Sequence, residues 1–380
     1  MIGLFNDSFP PIMDGVAVAT WNYAYWLNKK NTPALVITPN VPGAPNEPFP
    51  VYRYSSFPLL FRKPYRFGLP EIDIRFKLSL EKLPFKLLHT HCPFTTGHLA
   101  LRLAHDRKIP LIATFHSKYR DDFERTVRSR KIADIMIKEV VSFYEKADEV
   151  WIPQASVEET IREYGYKGNI IVMENGNDFA DNQNIVLIKK DARKHLGFGE
   201  NENILLFVGQ HIWEKNTKLI IDALAQIKNT KFKMFFIGVG YASDEMKNMV
   251  QLNGLSENVI FKGLITDREI LRKYYAASDL FIFPSIYDNA PLVVREAAAL
   301  HTPSILAKNS TASEIINDNF NGFLTENDSI SLSRKITDLL MDKSKIRLAG
   351  VNASKTIARS WCSIIDEVND RYLYWIKKKC

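Results

Sequence analysis

The stretch Ser285-Ile286-Tyr287-Asp288-Asn289-Ala290-Pro291-Leu292-Val293-Val294-Arg295-Glu296 carries two carboxylates, directly after the apolar run FIFP. If a helix begins near Leu292, Asp288 lies in the loop ahead of it and Glu296 one turn inside. Backbone N–H groups at such a helix start can face the oxygens of a diphosphate, and the carboxylates can accept hydrogen bonds from sugar and ribose hydroxyls. By spacing alone, the pair also fits an N-capping Asp and a surface Glu. A second loop, Gly209-Gln210-His211-Ile212-Trp213-Glu214-Lys215-Asn216, follows the run ILLFV. Lys215 can neutralise a departing diphosphate with no proton transfer, or be an ordinary solvated lysine. Gly15, in FPPIMDGV, lets a phosphate or sugar approach the backbone closely, or serves a turn. His91 ends the run LLHTH, with His89 and His116 as close competitors. A lone histidine there also fits a structural role.

Such residues are useful only if the chain places them beyond strand ends, where open α/β sheets bind ligands. Short apolar runs supply those strands: Ile2–Phe5, Ala34–Thr38, Lys86–His91, Pro110–His116, Glu149–Pro153 and Asn169–Met173. Helices fit between them at about Val16–Asn28, Gly97–Asp106, Asp122–Lys146 and Ser156–Tyr164. Asp178 to Glu202 reads as a connection with a short helix, after which the pattern restarts. Strands are expected at Ile204–Gly209, Lys233–Gly238, Asn258–Gly263, Asp279–Ser285 and Pro303–Ala307. Unbroken apolar strands alternating with helices predict two α/β units, each with a parallel sheet covered on both faces. The tail from Ser354 to Lys379 reads as helical, and its apolar face (Ile357, Trp361, Ile364, Ile365, Val368, Tyr372, Trp375) requires a surface to pack on.

Bulk properties narrow the class. A chain of 380 residues with 46% hydrophobic and 24% charged residues has enough apolar material for two globular cores. Its three cysteines, Cys92, Cys362 and Cys380, have neither zinc-site nor disulfide-scaffold spacing and fit a reducing compartment. The opening MIGLFNDSFPP does not read as a secretory signal, and no apolar run is long enough to span a bilayer. A cytoplasmic protein is expected, at most peripheral on the inner face of the plasma membrane. The net charge is +7, and part of it is local. Arg53, Arg62, Lys63, Arg66, Arg75, Lys77, Lys82 and Lys86 outnumber Glu71, Asp73 and Glu81, and Phe57, Leu59, Leu60, Phe61, Tyr65, Phe67 and Phe76 lie between them. This segment reads as a solvated face or as an anchor for an anionic membrane. No pattern for nucleic-acid recognition accompanies it. Neither unit carries GxGxxG after its first strand, and Gly238-Val239-Gly240 is a weak match, which disfavours a dinucleotide-dependent hydride transfer.

Taken in order, these segments resemble the GT-B glycosyltransferases of retaining family 4 (glycosyl transferases group 1), in particular the bacterial members that form glycolipids and polysaccharides. The resemblance runs over nearly the whole chain. It rests on PPIMDGV, LLHTHCP, ENGND (Glu174–Asp178), VGQHIWEKN, PSIYDNAPLVVREAAALHTP and SEIINDNFNGFL (Ser313–Leu324).

The resemblance implies two Rossmann-like domains facing a central cleft. Residues 1–180 would bind the acceptor and 181–355 the donor, with a C-terminal helix within 356–380 crossing back onto the first domain. It implies transfer of a hexose from a nucleotide sugar, UDP-linked by expectation, with retention of configuration. A lipid or lipid-linked glycan is the implied acceptor, and neither metal nor resident cofactor is expected. Glu296 would bind the donor ribose, and Asp288 with the backbone of Asn289, Ala290, Pro291, Leu292 and Val293 would hold the sugar. Lys215 would contact the diphosphate beside Gly209 and Gln210, Gly15 would line the phosphate and acceptor side, the backbone near Leu264 would meet the base, and His91 would sit near the reacting sugar. Three positions depart from the family: Asp288 replaces the usual Glu, Gln210 a phosphate-binding Arg, and Pro291 a Gly. A nucleotide-sugar 2-epimerase on the same fold and a non-catalytic nucleotide-sugar-binding protein are the alternative readings.

Overall fold

Unbroken apolar runs become buried parallel strands when helices cover both sheet faces. In a computed structural model describing residues 1–12, 14–59, 65–179 and 184–379, this happens twice. The chain divides into two compact units, Met1–Gly176 together with Trp361–Cys380, and Asn177–Ser360. The expected junction at 180/181 lies outside the described residues, as do Leu60, Phe61, Arg62 and Lys63 of the basic segment.

The first unit contains strands β1 (Ile2–Phe5), β2 (Ala34–Pro39), β3 (Val51–Tyr54), β4 (Ser56–Pro58), β5 (Arg66–Gly68), β6 (Leu87–Thr90), β7 (Leu111–Thr114), β8 (Glu149–Ile152) and β9 (Ile170–Val172). Among the described residues, a seven-stranded sheet runs β3-β2-β1-β6-β7-β8-β9, and β4 pairs antiparallel with β5 in a separate hairpin. Every pairing in the large sheet is parallel. Its helices are α1 (Gly15–Lys29), α2 (Ile74–Glu81), α3 (Thr95–Arg107), α4 (Tyr119–Val127), α5 (Arg130–Glu145) and α6 (Val157–Glu163). The single helix expected over Asp122–Lys146 is therefore two. Arg128 takes a left-handed φ of 51° and ends α4, its N–H bonding to the Glu124 carbonyl.

In the second unit, β10 (Ile204–Val208), β11 (Lys233–Ile237), β12 (Val259–Gly263), β13 (Leu280–Ile282), β14 (Ser304–Ala307) and β15 (Phe323–Thr325) form a parallel sheet in the order β12-β11-β10-β13-β14-β15. The accompanying helices are α7 (Ile185–Leu196), α8 (Thr217–Leu224), α9 (Ser243–Leu252), α10 (Arg268–Ala277), α11 (Leu292–Ala299), α12 (Ser329–Met341) and α13 (Lys343–Thr356). The helix expected to run continuously through the tail is interrupted after Thr356. A new one, α14 (Trp361–Lys379), begins as the chain returns to the first unit.

The α14 residues Trp361, Ile364, Ile365, Val368, Tyr372 and Trp375 recur at helical spacing and are all buried. Polar contacts fix its rotation. Buried Glu149, at the start of β8, accepts from Trp151 Nε1 at 2.6 Å, Trp375 Nε1 at 2.8 Å and Arg371 Nε at 2.8 Å. Burial alone would raise the Glu149 pKa, but bonds from Arg371, Trp151 and Trp375 outweigh it and hold the carboxyl below its ordinary value. The crossings between units lie side by side within their own units. Asn177 N–H and Nδ2 both bond to the Arg359 carbonyl at 2.9 Å. A Cβ on Gly176 would lie 2.6 Å from the Trp361 backbone, which explains the glycine of ENGND by close approach.

Glu149→Ala would strand two indole donors and a guanidinium. It is expected to cost about 3 kcal/mol of unfolding free energy, the typical penalty for breaking a buried pair, whereas Glu149→Gln should cost less. Denaturant unfolding checks this, and an unchanged midpoint for Glu149→Ala would refute the role assigned to this clasp.

Candidate functional site

The second unit brings together Lys215, Ser285 and Asp288. Lys215 ends a short 3-10 turn, Trp213–Lys215, after β10, while Asp288 lies between β13 and α11. Lys215 Nζ donates to both Asp288 oxygens, at 2.6 and 2.8 Å, with side chains only 12% and 18% exposed. Ser285 Oγ donates to Asp288 Oδ2 at 2.6 Å, and Lys215 Nζ lies 5.4 Å from the centroid of the Phe283 ring.

Local sequence explains the loop geometry. Asn216 takes a left-handed φ of 61°, which asparagine tolerates. Its Nδ2 donates to the Pro284 carbonyl at 3.1 Å and to Asn327 Oδ1 at 2.6 Å, tying the lysine loop to the aspartate loop. On the other side the loop abuts Gly238-Val239-Gly240. A Cβ on Gly238 would fall 1.9 Å from the Gly209 carbonyl oxygen and one on Gly240 2.2 Å from that of His211. The weak GxG match is therefore a packing requirement of the Gly209–His211 turn. Gln210 is exposed on that turn.

Helix α11 starts at Leu292, as the spacing predicts, with Pro291 at its N-cap and no side-chain cap bond. Pro291 lacks its own N–H, yet the first-turn N–H groups of Leu292 and Val293 belong to the helix and remain. Asn289 and Leu292 are buried, Ala290 and Val293 partly so, and Leu264 after β12 is exposed. The capping-and-surface alternative fails for both acids. Asp288 caps no N–H of α11, and Glu296 is buried at 5% exposure. Glu296 Oε1 accepts from Arg268 Nη2 at 2.7 Å and Oε2 from the Tyr275 hydroxyl at 2.9 Å. Sequence reasoning missed Ser285, Asn216, Arg268 and Tyr275. Ser285 three residues before Asp288 was the readable signal, but nothing local marked α10 as the partner of Glu296.

His91 and Gly15 belong to the first unit. His91 is buried, with Nδ1 3.1 Å from His116 Nε2, and its ring packs edge-on to Tyr23 at 5.1 Å. Its Nε2 has no hydrogen-bond partner among the described residues. His89 is structural: Nδ1 lies 2.5 Å from the Tyr372 hydroxyl of α14 and Nε2 2.7 Å from Thr114 Oγ1. Burial holds all three histidines neutral. It pushes His116 down to about 3, and His89 and His91 fall well below the ordinary value by burial, reinforced by neighbouring histidines. Gly15 is the first residue of α1, behind the N-cap Asp14, and a Cβ there would meet nothing within 4 Å. Packing among the described residues does not require that glycine.

The basic–aromatic segment separates into inner and outer parts. Arg53 donates to the Pro10 and Pro39 carbonyls, Arg66 holds Ser56 across the hairpin, and Phe76 is buried. Those residues leave the anchor expected from sequence, because the fold uses them. Phe57, Phe67, Ile72, Ile74 and Leu78 are exposed beside exposed Arg75, Lys77, Lys82 and Lys86. Among the described residues, no helix is long and apolar enough to cross a membrane.

Comparison with known proteins accords with this geometry. Residues 188–356 match Glycosyl transferases group 1 and residues 13–181 match Glycosyltransferase Family 4. The chain belongs to the GT-B glycosyltransferases of group 1. It is 27% identical over 330 residues to alpha-monoglucosyldiacylglycerol synthase of Streptococcus pneumoniae, covering 85% of this chain and 74% of that protein. Its fold is similar to sucrose-phosphate synthase of Thermosynechococcus elongatus (TM-score 0.81, 21% identity, 98% of each chain). It is also similar to Anabaena HepE in complex with UDP and glucose (TM-score 0.76, 18% identity, 97% of this chain and 98% of that one).

The histidine cluster fixes the sign of a pH effect. In the unfolded chain these histidines take protons near 6.5, whereas in the folded unit they resist protonation to much lower pH. Between those limits the unfolded state binds more protons, so stability is fully present above about 6.5 and falls as pH falls. The unfolding midpoint should drop between about pH 7 and 5, and less steeply in a His91→Asn, His116→Asn variant. A profile identical to wild type in that variant would rule the cluster out as the source.

Proposed function

We propose that this glycosyltransferase moves a hexose from a UDP-sugar to a hydroxyl of a lipid or lipid-linked acceptor at an anionic membrane face, with retention of configuration and no metal. The observation that carries the reading is the Lys215–Asp288 pair beside the uncapped start of α11, with Glu296 one turn further on. Lys215 and the first N–H groups of α11 supply positive charge where a diphosphate becomes a leaving group. Asp288 accepts from a sugar hydroxyl once Lys215 turns to phosphate, and Glu296 accepts from the ribose. The bond from the sugar anomeric carbon to the diphosphate oxygen breaks, the bond to the acceptor oxygen forms on the same face, and a phosphate oxygen takes the acceptor proton. His91, neutral and with Nε2 unpartnered among the described residues, suits a hydrogen bond to an uncharged sugar hydroxyl better than proton transfer.

UDP as the carrier is supported by the UDP complex of HepE, and a lipid acceptor by the diacylglycerol-glycolipid synthase among the relatives. The exposed Phe57, Phe67, Ile74 and Leu78 beside Arg75, Lys77 and Lys82 supply the apolar and cationic contacts that an anionic bilayer favours.

Thermal unfolding with UDP-, GDP- and ADP-hexoses tests the donor, since a ligand of the native state raises its midpoint. Only UDP-sugars should do so. Glu296→Ala should weaken donor binding by about tenfold or more, the loss expected for hydrogen bonds to a charged group. Asp288→Ala should chiefly lower kcat. Full activity in both variants would remove the donor-site assignment.

For the membrane, the protein should co-sediment with phosphatidylglycerol-rich vesicles at low salt and be released at high salt. A Lys77→Glu, Lys82→Glu variant should bind less. Wild-type protein recovered wholly in the supernatant would count against a membrane-face reaction.

A further inference from the structure

Glu296 is held by α10 as well as by its own helix. Both of its oxygens are engaged from α10, by Arg268 at 2.7 Å and Tyr275 at 2.9 Å. Arg268 is itself constrained on two further sides. It donates to Asp178 Oδ2 at 3.1 Å, and its guanidinium lies 4.5 Å from the centroid of the Phe179 ring. Asp178 and Phe179 directly follow the ENGN segment at the start of the second unit, so one cation joins that segment, α10 and α11.

The arrangement does more than bury an ion pair. A carboxylate oxygen offers two acceptor sites. Among the described residues, Arg268 and Tyr275 occupy one on each oxygen of Glu296, so each oxygen keeps one. Two parallel acceptors on a single fixed carboxylate match the two adjacent hydroxyls of a ribose. The Arg268 side chain is 36% exposed, against 7% for Glu296, and its Nε–H has no acceptor among the described residues. The buried guanidinium of Arg193 is more fully bonded. Arg193 in the same unit makes five hydrogen bonds, to the Ala277, Gly199, Glu200 and Glu202 carbonyls and to Asp279.

We propose that Arg268 is a positioning residue for donor recognition: it fixes the rotamer of Glu296 so that both carboxylate oxygens meet the ribose, and thereby sets a preference for ribonucleotides over 2′-deoxyribonucleotides. The proposal rests on Glu296 as the ribose anchor. Arg268 itself need not touch the nucleotide. Losing it frees the glutamate to turn, and the two-point contact becomes a one-point contact.

The test uses the full chain and calorimetric titration with whichever of UDP, GDP and ADP binds wild type most tightly, alongside its 2′-deoxy counterpart. Wild type should favour the ribonucleotide by about tenfold, the effect of one hydrogen bond to a charged group. Arg268→Gln should reduce that ratio to within about twofold and raise KM for the donor more than it lowers kcat, because the contact it supports is to substrate rather than to the reacting centre. Arg268→Lys should recover most of the discrimination by restoring the charge. A merely structural arginine would lower the thermal midpoint in Arg268→Gln and leave the ribose preference in place, and that result overturns the proposal. Should Arg268→Gln not fold, Arg268→Lys combined with Tyr275→Phe carries the same reading, with loss of preference expected and its retention fatal. Glu296→Gln separates the two ideas. If it keeps the preference, or if no nucleoside diphosphate binds wild type, the ribose-anchor reading falls together with this one. If it loses the preference while both the Arg268→Gln and the Arg268→Lys, Tyr275→Phe variants keep it, only the positioning role falls.

Discussion

Holding a lysine against an aspartate largely out of water is costly, and it succeeds only when the geometry is good and the remaining lone pairs are used. Lys215 and Asp288 meet both conditions, through a two-oxygen contact and a third bond from Ser285. Much of the second unit serves that contact. Asn216 must sit at a left-handed φ to link the two loops, and Gly238 and Gly240 must lack side chains for the Gly209–His211 turn to lie against them. Because β10 and β13 are adjacent in the sheet, their C-terminal loops are neighbours, and only the parallel topology delivers that. Buried pairs contribute little net stability compared with apolar packing, so this contact adds little to the fold beyond the geometry it imposes on the two loops.

The first unit is organised by a different constraint. Its last sheet-covering helix arrives from the far end of the sequence, and α14 has to find one rotation among many. The apolar stripe supplies the driving force, with roughly 1.5–3 kcal/mol for each large side chain fully buried. The stripe alone tolerates sliding, whereas Glu149 with Arg371, Trp375 and Trp151, and His89 with Tyr372, do not. His89 therefore spends both ring nitrogens on architecture. His91, two residues further on, is equally buried but keeps Nε2 without a partner among the described residues.

Much of this was legible in the residues. The strands appear as apolar runs because parallel strands covered on both faces have no polar side to show. The start of α11 at Leu292 was legible because Pro291 sets a fixed φ before a helix-forming run. The stripe of α14 followed from its helical period. The break at Arg128 was not legible, because left-handed arginine has no local signature. The inward turn of Arg53 and Arg66 was hidden for a related reason: a basic residue shows its charge in the sequence but not the carbonyls it will meet. Partners of Glu296 on α10 were invisible because the contacts join residues on two different helices rather than neighbours on one helical turn.

The acidic pair itself divides along physical lines. Asp288 accepts two hydrogen bonds from a cation for which a diphosphate would compete, so on the proposed reading its partner would be exchangeable. Glu296 is anchored at both oxygens by groups on one neighbouring helix, and the cation among them, Arg268, is tied in turn to Asp178 and stacked on Phe179. The shorter aspartate fits this division, since its side chain reaches Lys215 and Ser285. On the proposed reading, a site with one exchangeable and one fixed carboxylate would hold the donor's nucleotide while adjusting around the sugar that is transferred.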